Sequence, residues 1–207
     1  NSPEMADLAR SFGARQVEMV GTPIPRRFLI EPLKPMSGQI GRVLFAGRLA
    51  PEKNVESIID AARDLPATRF VLVGDGPLRE TVADAARELD NLSWLGWQPR
   101  ERMLNIIDGT DVLILPSSVE SFGTIALEAM ARGRMTLVSA ACGILGWPDL
   151  ARGLFAMERG ETVGSAIRRM TAIDPALRRS RALAGRRAAQ NLAASNTRHW
   201  LDLIGPS

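Results

Sequence analysis

A chain of 207 residues, 45% of them hydrophobic, can bury about 70% of the surface of its unfolded form in one α/β domain, so neither disulfides nor a structural metal is required. A single cysteine, Cys142, and a single histidine, His199, leave no zinc-ligand set, no Cys/His dyad and no hydrolase triad, and the lone cysteine fits a reducing compartment. The formal charge of +3 resides in the tail, where residues 159–207 carry nine arginines against Glu161, Asp174 and Asp202 while residues 1–158 carry more acid than base, so no nucleic-acid surface is expected.

The opening residues Asn1-Ser2-Pro3-Glu4-Met5 have neither an initiator methionine nor a signal-peptide pattern, which predicts a cut inside a longer protein. Ser2-Pro3 suits a helix start and predicts a helix to Phe12, followed by a strand from Gln16 to Val20. Pro23, Pro25, Pro32 and Pro35 make 21–41 an extended linker or covering arm that marks a boundary and contributes no core. From Arg42 short apolar runs alternate with amphipathic stretches, the signature of βαβ units. Strands are predicted at Val43–Ala46, Phe70–Val73, Leu92–Leu95, Val112–Leu115 and Thr136–Ser139, with helices at Asn54–Leu65, Pro77–Leu89, Arg100–Asp108 and Thr124–Ala131. Right-handed crossovers wind these into a Rossmann-like open parallel sheet with helices on both faces, with ligands at the carboxyl ends of the strands. An Arg- and Ala-rich helical region from Gly160 to Ala194 and a separate last helix holding Trp200, read as a packing residue, complete the expected domain. The organisation is thus an arm over 1–41, a core over 42–158 and helices of the same domain over 159–207. The longest nearly apolar stretch, Thr136 to Trp147, is too short to span a bilayer and is broken by Ser139 and Gly143, which predicts a soluble chain.

Chemistry is expected where the strands end. After the first strand, Gly47 allows a sharp turn, and Arg48 and Lys53 stand five residues apart as either a diphosphate clamp or two solvated loop charges. Lys53 is one of two lysines against 24 arginines. After the second strand, Gly74-Asp75-Gly76-Pro77 reads as a structural turn, because Arg79 stands where a dinucleotide fingerprint needs its third glycine. After the fourth, Pro116 to Thr124 runs into a helix whose first amides can form an anion site. Glu120 at the mouth of that loop and Glu128 one turn inside the helix are carboxylates suited to accept hydrogen bonds from sugar hydroxyls, or else a helix-start charge and an exposed helical residue.

The segments VLFAGRLAPEKN, FVLVGDGPL, WLGW, DVLILPSSVESFG and ALEAMARG, in this order from Val43 to Ser139, resemble the carboxyl-terminal domain of the retaining glycosyltransferases of family four, glycosyl transferases group 1, which have the GT-B architecture. The pairing of G-R-x-x-x-x-K with E-x(7)-E is the specific part. The resemblance implies that Arg48 and Lys53, after the Gly47 turn, hold the diphosphate of a UDP- or GDP-sugar, with no metal or other cofactor required. It implies that Glu120 faces the donor sugar beside Ser121, that the amides of Phe122, Gly123 and Thr124 bind phosphate, and that Glu128 accepts the ribose hydroxyls. Trp97, Gln98 and Arg100 would border the base. Glu120, Arg48 and Lys53 are the residues implied to act in transfer. Ser121 replaces the usual glycine, Arg134-Met135 the usual x-Pro, and Ala141-Cys142-Gly143-Ile144 the usual glycine-glycine loop.

The resemblance further implies a missing amino-terminal acceptor domain of the same protein, so the 207 residues alone are expected to transfer no sugar, and a cytoplasmic location in glycan or surface polysaccharide biosynthesis. A nucleotide-sugar epimerase of the same architecture and a catalytically silent nucleotide-binding or interaction domain are the competing readings; the intact motif pairs favour the transferase. The tail arginines Arg168, Arg169, Arg178, Arg179, Arg186 and Arg187 read as a solvated helical face, the alternatives being contact with the missing domain or with the inner face of a membrane.

Overall fold

The structure is a computed structural model that describes residues 3–19, 21–36 and 38–204, with side chains for 5–19, 21–36, 38–196, 198 and 199. Its centre is a parallel sheet of six strands: β1 (Arg42–Ala46), β2 (Arg69–Val73), β3 (Leu92–Trp94), β4 (Val112–Leu115), β5 (Met135–Val138) and β6 (Phe155–Ala156). Their spatial order is β3-β2-β1-β4-β5-β6. All pairings are parallel, with Val43 opposite both Phe70 and Val112. The continuous apolar runs of β1, β4 and β5 follow from burial on both faces, since helices cover each side of a sheet built by crossovers. The sheet order reverses between β1 and β4, and the crevice above their carboxyl ends is where open α/β sheets bind ligands.

The connecting helices are α3 (Val55–Asp64), α4 (Arg79–Glu88), α5 (Arg100–Asp108) and α6 (Thr124–Ala131), after two amino-terminal helices, α1 (Pro3–Ser11) and α2 (Arg26–Ile30). Val55, Ile58, Ile59 and Ala62 form the buried stripe of α3 at helical spacing. Residues 126–131 of α6 are buried all round, because the sheet lies on one side and the last helix on the other. After the short α7 (Pro148–Ala151), α8 (Val163–Ala172) packs on α3 and α9 (Pro175–Ile204) packs on α6.

Four expectations are corrected. Residues 16–19 alternate between exposed and half-buried but join no sheet, and Val20 and the proposed cap Ser2 lie outside the described residues. Second, 21–41 is more than a boundary: α2 lies inside it, and Ile24 and Phe28 belong to the core. Third, the region after Gly160 breaks at Ile173-Asp174, where Pro175 opens a new helix, and the residues up to Ile204 form one helix with no separate last piece. Trp200 is on that helix, and the packing expected of its side chain lies outside the described residues. Fourth, the Phe155–Ala156 strand was not anticipated, two residues being too few to display a period.

The arm is held down by buried charge. Arg132, fully buried, donates through Nε and Nη2 to Asp108 at 2.8 and 2.7 Å, and to the backbone carbonyls of Glu31 at 2.8 Å and Pro32 at 2.6 Å. Arg134 donates to the carbonyl of Lys34 at 2.6 Å, and burial lowers the pKa of its guanidinium against the opposing pull of Asp108. Arg134, which opens the Arg134-Met135 departure noted in the sequence, therefore has a job: it ties 21–41 to the amino-terminal side of β5.

The tail arginines are largely committed within the protein, which overturns the solvated-face reading for several of them. Arg178 is buried and donates to the Met170 carbonyl, Arg186 donates to that of Ala131, Arg169 pairs with Glu161 at 2.8 Å, and Arg168 reaches Asp64 at 3.4 Å. Arg187 stays exposed. Among the described residues no helix is long and apolar enough to cross a membrane.

Candidate functional site at the sheet switch point

Two loops flank the reversal of strand order. The first leaves β1 through Gly47 and Arg48, makes a single turn of 3-10 helix over Pro51–Lys53, and enters α3 through Asn54, whose left-handed conformation (φ 54°) a short amide side chain tolerates. The second leaves β4 at Pro116 and enters α6 through Gly123. They are stitched together where the Ser118 amide donates to the Glu52 carbonyl at 2.8 Å. Across this stitch Lys53 Nζ donates to Glu120 Oε2 at 2.7 Å, with both side chains mostly shielded from water.

The β2 turn supports the first loop from the other side. Gly47 donates to Val73 and Leu49 to Asp75 through backbone bonds of 3.0 and 2.9 Å. Gly74 adopts φ +133° with the Gly47 carbonyl oxygen 1.8 Å from where a Cβ would stand, so only glycine fits. Gly74-Asp75-Gly76 is thus a structural turn, in keeping with its sequence reading. Its work is to fix the backbone that presents Arg48.

Gly123 sets the anion-binding end of α6. Its φ of +86° opens the helix with no side-chain cap, and the amides of Phe122, Gly123 and Thr124 donate to no other group among the described residues. Uncapped amides at the positive end of a helix dipole are ready donors for ligand oxygens. Behind them the 141–144 loop forms a wall: Gly143 donates to the Glu120 carbonyl at 2.8 Å, and Cys142 bridges Glu120 and sits under Gly123. Phe122 is buried edge-on against Trp147, with ring centroids 6.0 Å apart. Ser121 and Thr124 are exposed. Burial pushes the Cys142 thiol up to about 11, so it is a packing group.

Two clefts open on this edge. One, of about 410 Å³, is lined by Gly47, Arg48, Gly74, Trp97 and Gln98, with Met103 and Ile125 as apolar walls. Arg48 is exposed here with no hydrogen-bond or ion-pair partner among the described residues. Trp97 is 71% exposed beside it. The other, of about 360 Å³, lies over Glu120, Ser121 and Cys142, with Met5 of α1 at its rim. A larger concavity of about 450 Å³ between α7 and α9 lies away from these loops and gathers none of the expected site residues. We place the candidate site at the switch point, where the loop bearing Arg48 and Lys53 meets the loop that carries Glu120 into the uncapped start of α6.

The structure decides several open readings. Lys53 is partly buried and paired, which rules out a solvated loop charge. Glu128 is buried at 6% exposure, which rules out an exposed helical residue. Arg100, expected to border the base with Trp97 and Gln98, reaches Glu128 Oε1 at 3.2 Å. Burial raises the pKa of Glu128, and Arg100 followed by Arg27 opposes the rise. Sequence reasoning missed Met103, Ile125 and Arg27. The first two look like ordinary apolar helix positions, and Arg27 lies in a proline-rich arm that signalled nothing.

An all-parallel sheet in this order, with an open helix terminus and paired loops at its switch point, defines a Rossmann-like domain of the GT-B type. The chain belongs to the glycosyl transferases group 1 family, which it matches over residues 38–146. It is 37% identical to D-inositol 3-phosphate glycosyltransferase of Mycobacteroides abscessus over 111 residues, covering 49% of this chain and 25% of that protein. It is 29% identical to the lipopolysaccharide core biosynthesis glycosyltransferase LpsD of Rhizobium meliloti over 191 residues, covering 86% of this chain and 53% of that one. Solved structures share the fold: sucrose-phosphate synthase of Thermosynechococcus elongatus superposes with a TM-score of 0.77 at 22% identity over 99% of this chain and 57% of its own. Anabaena HepE, solved with UDP and glucose, superposes with a TM-score of 0.76 at 20% identity over 100% of this chain and 62% of its own. The chain therefore spans between about a quarter and three-fifths of the length of these relatives.

Proposed function

We propose that this chain is the carboxyl-terminal, donor-binding half of a retaining glycosyltransferase of family four, which transfers a sugar from a nucleotide diphosphate to an acceptor in glycan or surface polysaccharide biosynthesis. The observation that carries the reading is that Arg48, the Lys53–Glu120 pair and the uncapped start of α6 all lie on the two loops that leave the carboxyl ends of β1 and β4 at the switch point. A diphosphate there meets a planar fork, a mobile ammonium and backbone N–H groups. These same groups would stabilise the negative charge that grows on the leaving phosphate, so the chain's own residues supply the electrostatic work without a metal. The donor is a UDP- or GDP-sugar, and HepE, of the same fold and solved with UDP and glucose, supports the first of these.

Within that reading Glu120 accepts hydrogen bonds from the donor sugar, and its pairing with Lys53 joins the sugar and diphosphate subsites. Glu128, at the far end of the first turn of α6, takes the ribose, and Trp97 and Gln98 border the base. The acceptor is bound by an amino-terminal domain of the same protein, which works in the cytoplasm.

Full-length protein screened against a panel of nucleotide sugars tests the proposal, with the anomeric configuration of the product read by NMR. Transfer with retained configuration is expected, and none from the 207 residues alone. An inverted product would overturn the retaining assignment, and transfer by the 207 residues alone would overturn the two-half reading.

A further inference from the structure

Glu128 is in an uncommon position for a carboxylate. It is buried in α6, the most enclosed helix of the domain, and burial raises its pKa. The groups that face it are few. From α5 comes Arg100, 3.2 Å away and 62% exposed in its side chain. From α2 comes Arg27, which acts through space and donates to the backbone carbonyl of Arg100. The strands packed against α6, β4 and β5, bring no titratable side chain, and on α9 Arg186 is directed to the Ala131 carbonyl. Arg100 is therefore the one guanidinium in contact with the carboxylate among the described residues.

We propose that Arg100 is a positioning residue for nucleotide binding, whose guanidinium holds the buried Glu128 carboxylate in its ionised, acceptor-only form until ligand hydroxyls replace it as donors. The proposal rests on the ribose role given to Glu128 above. The physical reason is that a carboxyl group in a poorly solvated place is neutral unless a cation compensates it, and a neutral carboxyl is a weak acceptor. An exposed arginine suits the task because it can withdraw into water when the ligand arrives. Arg27 supports it by fixing the backbone at the first residue of α5, which connects the 21–41 arm to this pair.

The test has two arms on the protein and on Arg100→Gln and Arg100→Lys. In the ligand-free protein, carbon-13 NMR follows the Glu128 carboxyl through a pH titration. In the second arm, calorimetry measures UDP and GDP affinity between pH 5.5 and 8. Arg100→Gln should move the Glu128 midpoint to higher pH and weaken nucleotide binding about tenfold on the acid side, with less than about twofold loss at pH 8. Arg100→Lys should restore most of both. An unmoved midpoint, or a loss of equal size at every pH, overturns the proposal. If neither nucleotide binds the unmodified protein, the proposed function falls, while the carboxyl titration still decides whether Arg100 governs the charge of Glu128.

Discussion

Lys53 and Glu120, separated by 67 residues in sequence, form a 2.7 Å ion pair over the point where the sheet reverses its strand order. The pair joins the two loops that carry the proposed chemistry, and it sets what removing either residue should do. With side-chain exposures of 21% and 17%, neither charge is free in solvent, so loss of one partner leaves the other partly desolvated.

Arg48→Ala and Lys53→Ala should each weaken UDP or GDP binding by roughly 10- to 100-fold, since a charge-assisted hydrogen bond contributes about 1.5–3 kcal/mol. Lys53→Ala should also lower thermal stability, because Glu120 loses its partner, whereas Arg48→Ala should not, because Arg48 has none to leave behind. Calorimetric titration and thermal unfolding check both, and unchanged affinity in both variants would defeat the diphosphate clamp.

The two carboxylates should separate by ligand. Glu128→Gln should weaken the nucleotide and the nucleotide sugar alike, while Glu120→Gln should leave nucleotide affinity nearly intact and reduce turnover of the full-length protein, where the reacting sugar must be positioned. Reversed behaviour would exchange their roles.

The raised pKa of Glu128 predicts a stability signature of opposite sign to the usual paired carboxylate. Between the ordinary glutamate range and the raised folded value, the native state binds more protons than the unfolded chain, so this group's contribution to stability falls as pH rises through that window. Ligand-free Glu128→Gln should therefore gain stability relative to the parent at neutral pH, and the gain should shrink toward pH 4. Urea unfolding at several pH values measures it.

Asp108 compensates the buried Arg132 and lies 3.8 Å from Arg134. Asp108→Ala strands these guanidinium groups in the interior and should cost about 3–5 kcal/mol, as removal of one partner of a buried pair does. The 21–41 arm should loosen with it, seen as faster amide hydrogen exchange over those residues. Arg134→Ala, which removes the donor to the Lys34 carbonyl, should loosen the stretch around Lys34 with a smaller loss of stability.

Gly123→Ala should destabilise the domain by about 1–2 kcal/mol, because φ +86° is a conformation that residues with a Cβ avoid and Cys142 Sγ lies 3.1 Å from where that Cβ would stand. Thermal unfolding reads the loss. Nucleotide affinity should fall as well, since the same turn aims the first amides of α6.

Local pattern determined much of this protein. Apolar runs separated by helical spacing located five of the six strands and the helices α3 to α6 within a few residues, because strand and helix periods are written in neighbouring side chains. The order of G-R-x-x-x-x-K and E-x(7)-E identified the glycosyl transferases group 1 family for the same reason: each motif is one contiguous stretch that runs from a strand end toward or into the next helix. The tertiary structure alone decided which charges meet. Lys53 and Glu120, Arg100 and Glu128, and Arg132 and Asp108 are brought together only when the sheet order 3-2-1-4-5-6 sets distant loops and helix ends side by side. Burial then separates residues that look alike in sequence, turning Glu128 into an enclosed acceptor and Arg178 into a core donor while Arg187 stays in water. A charge is recorded in the sequence, but its solvation depends on what packs over it, and that is a property of contacts between segments far apart in the chain.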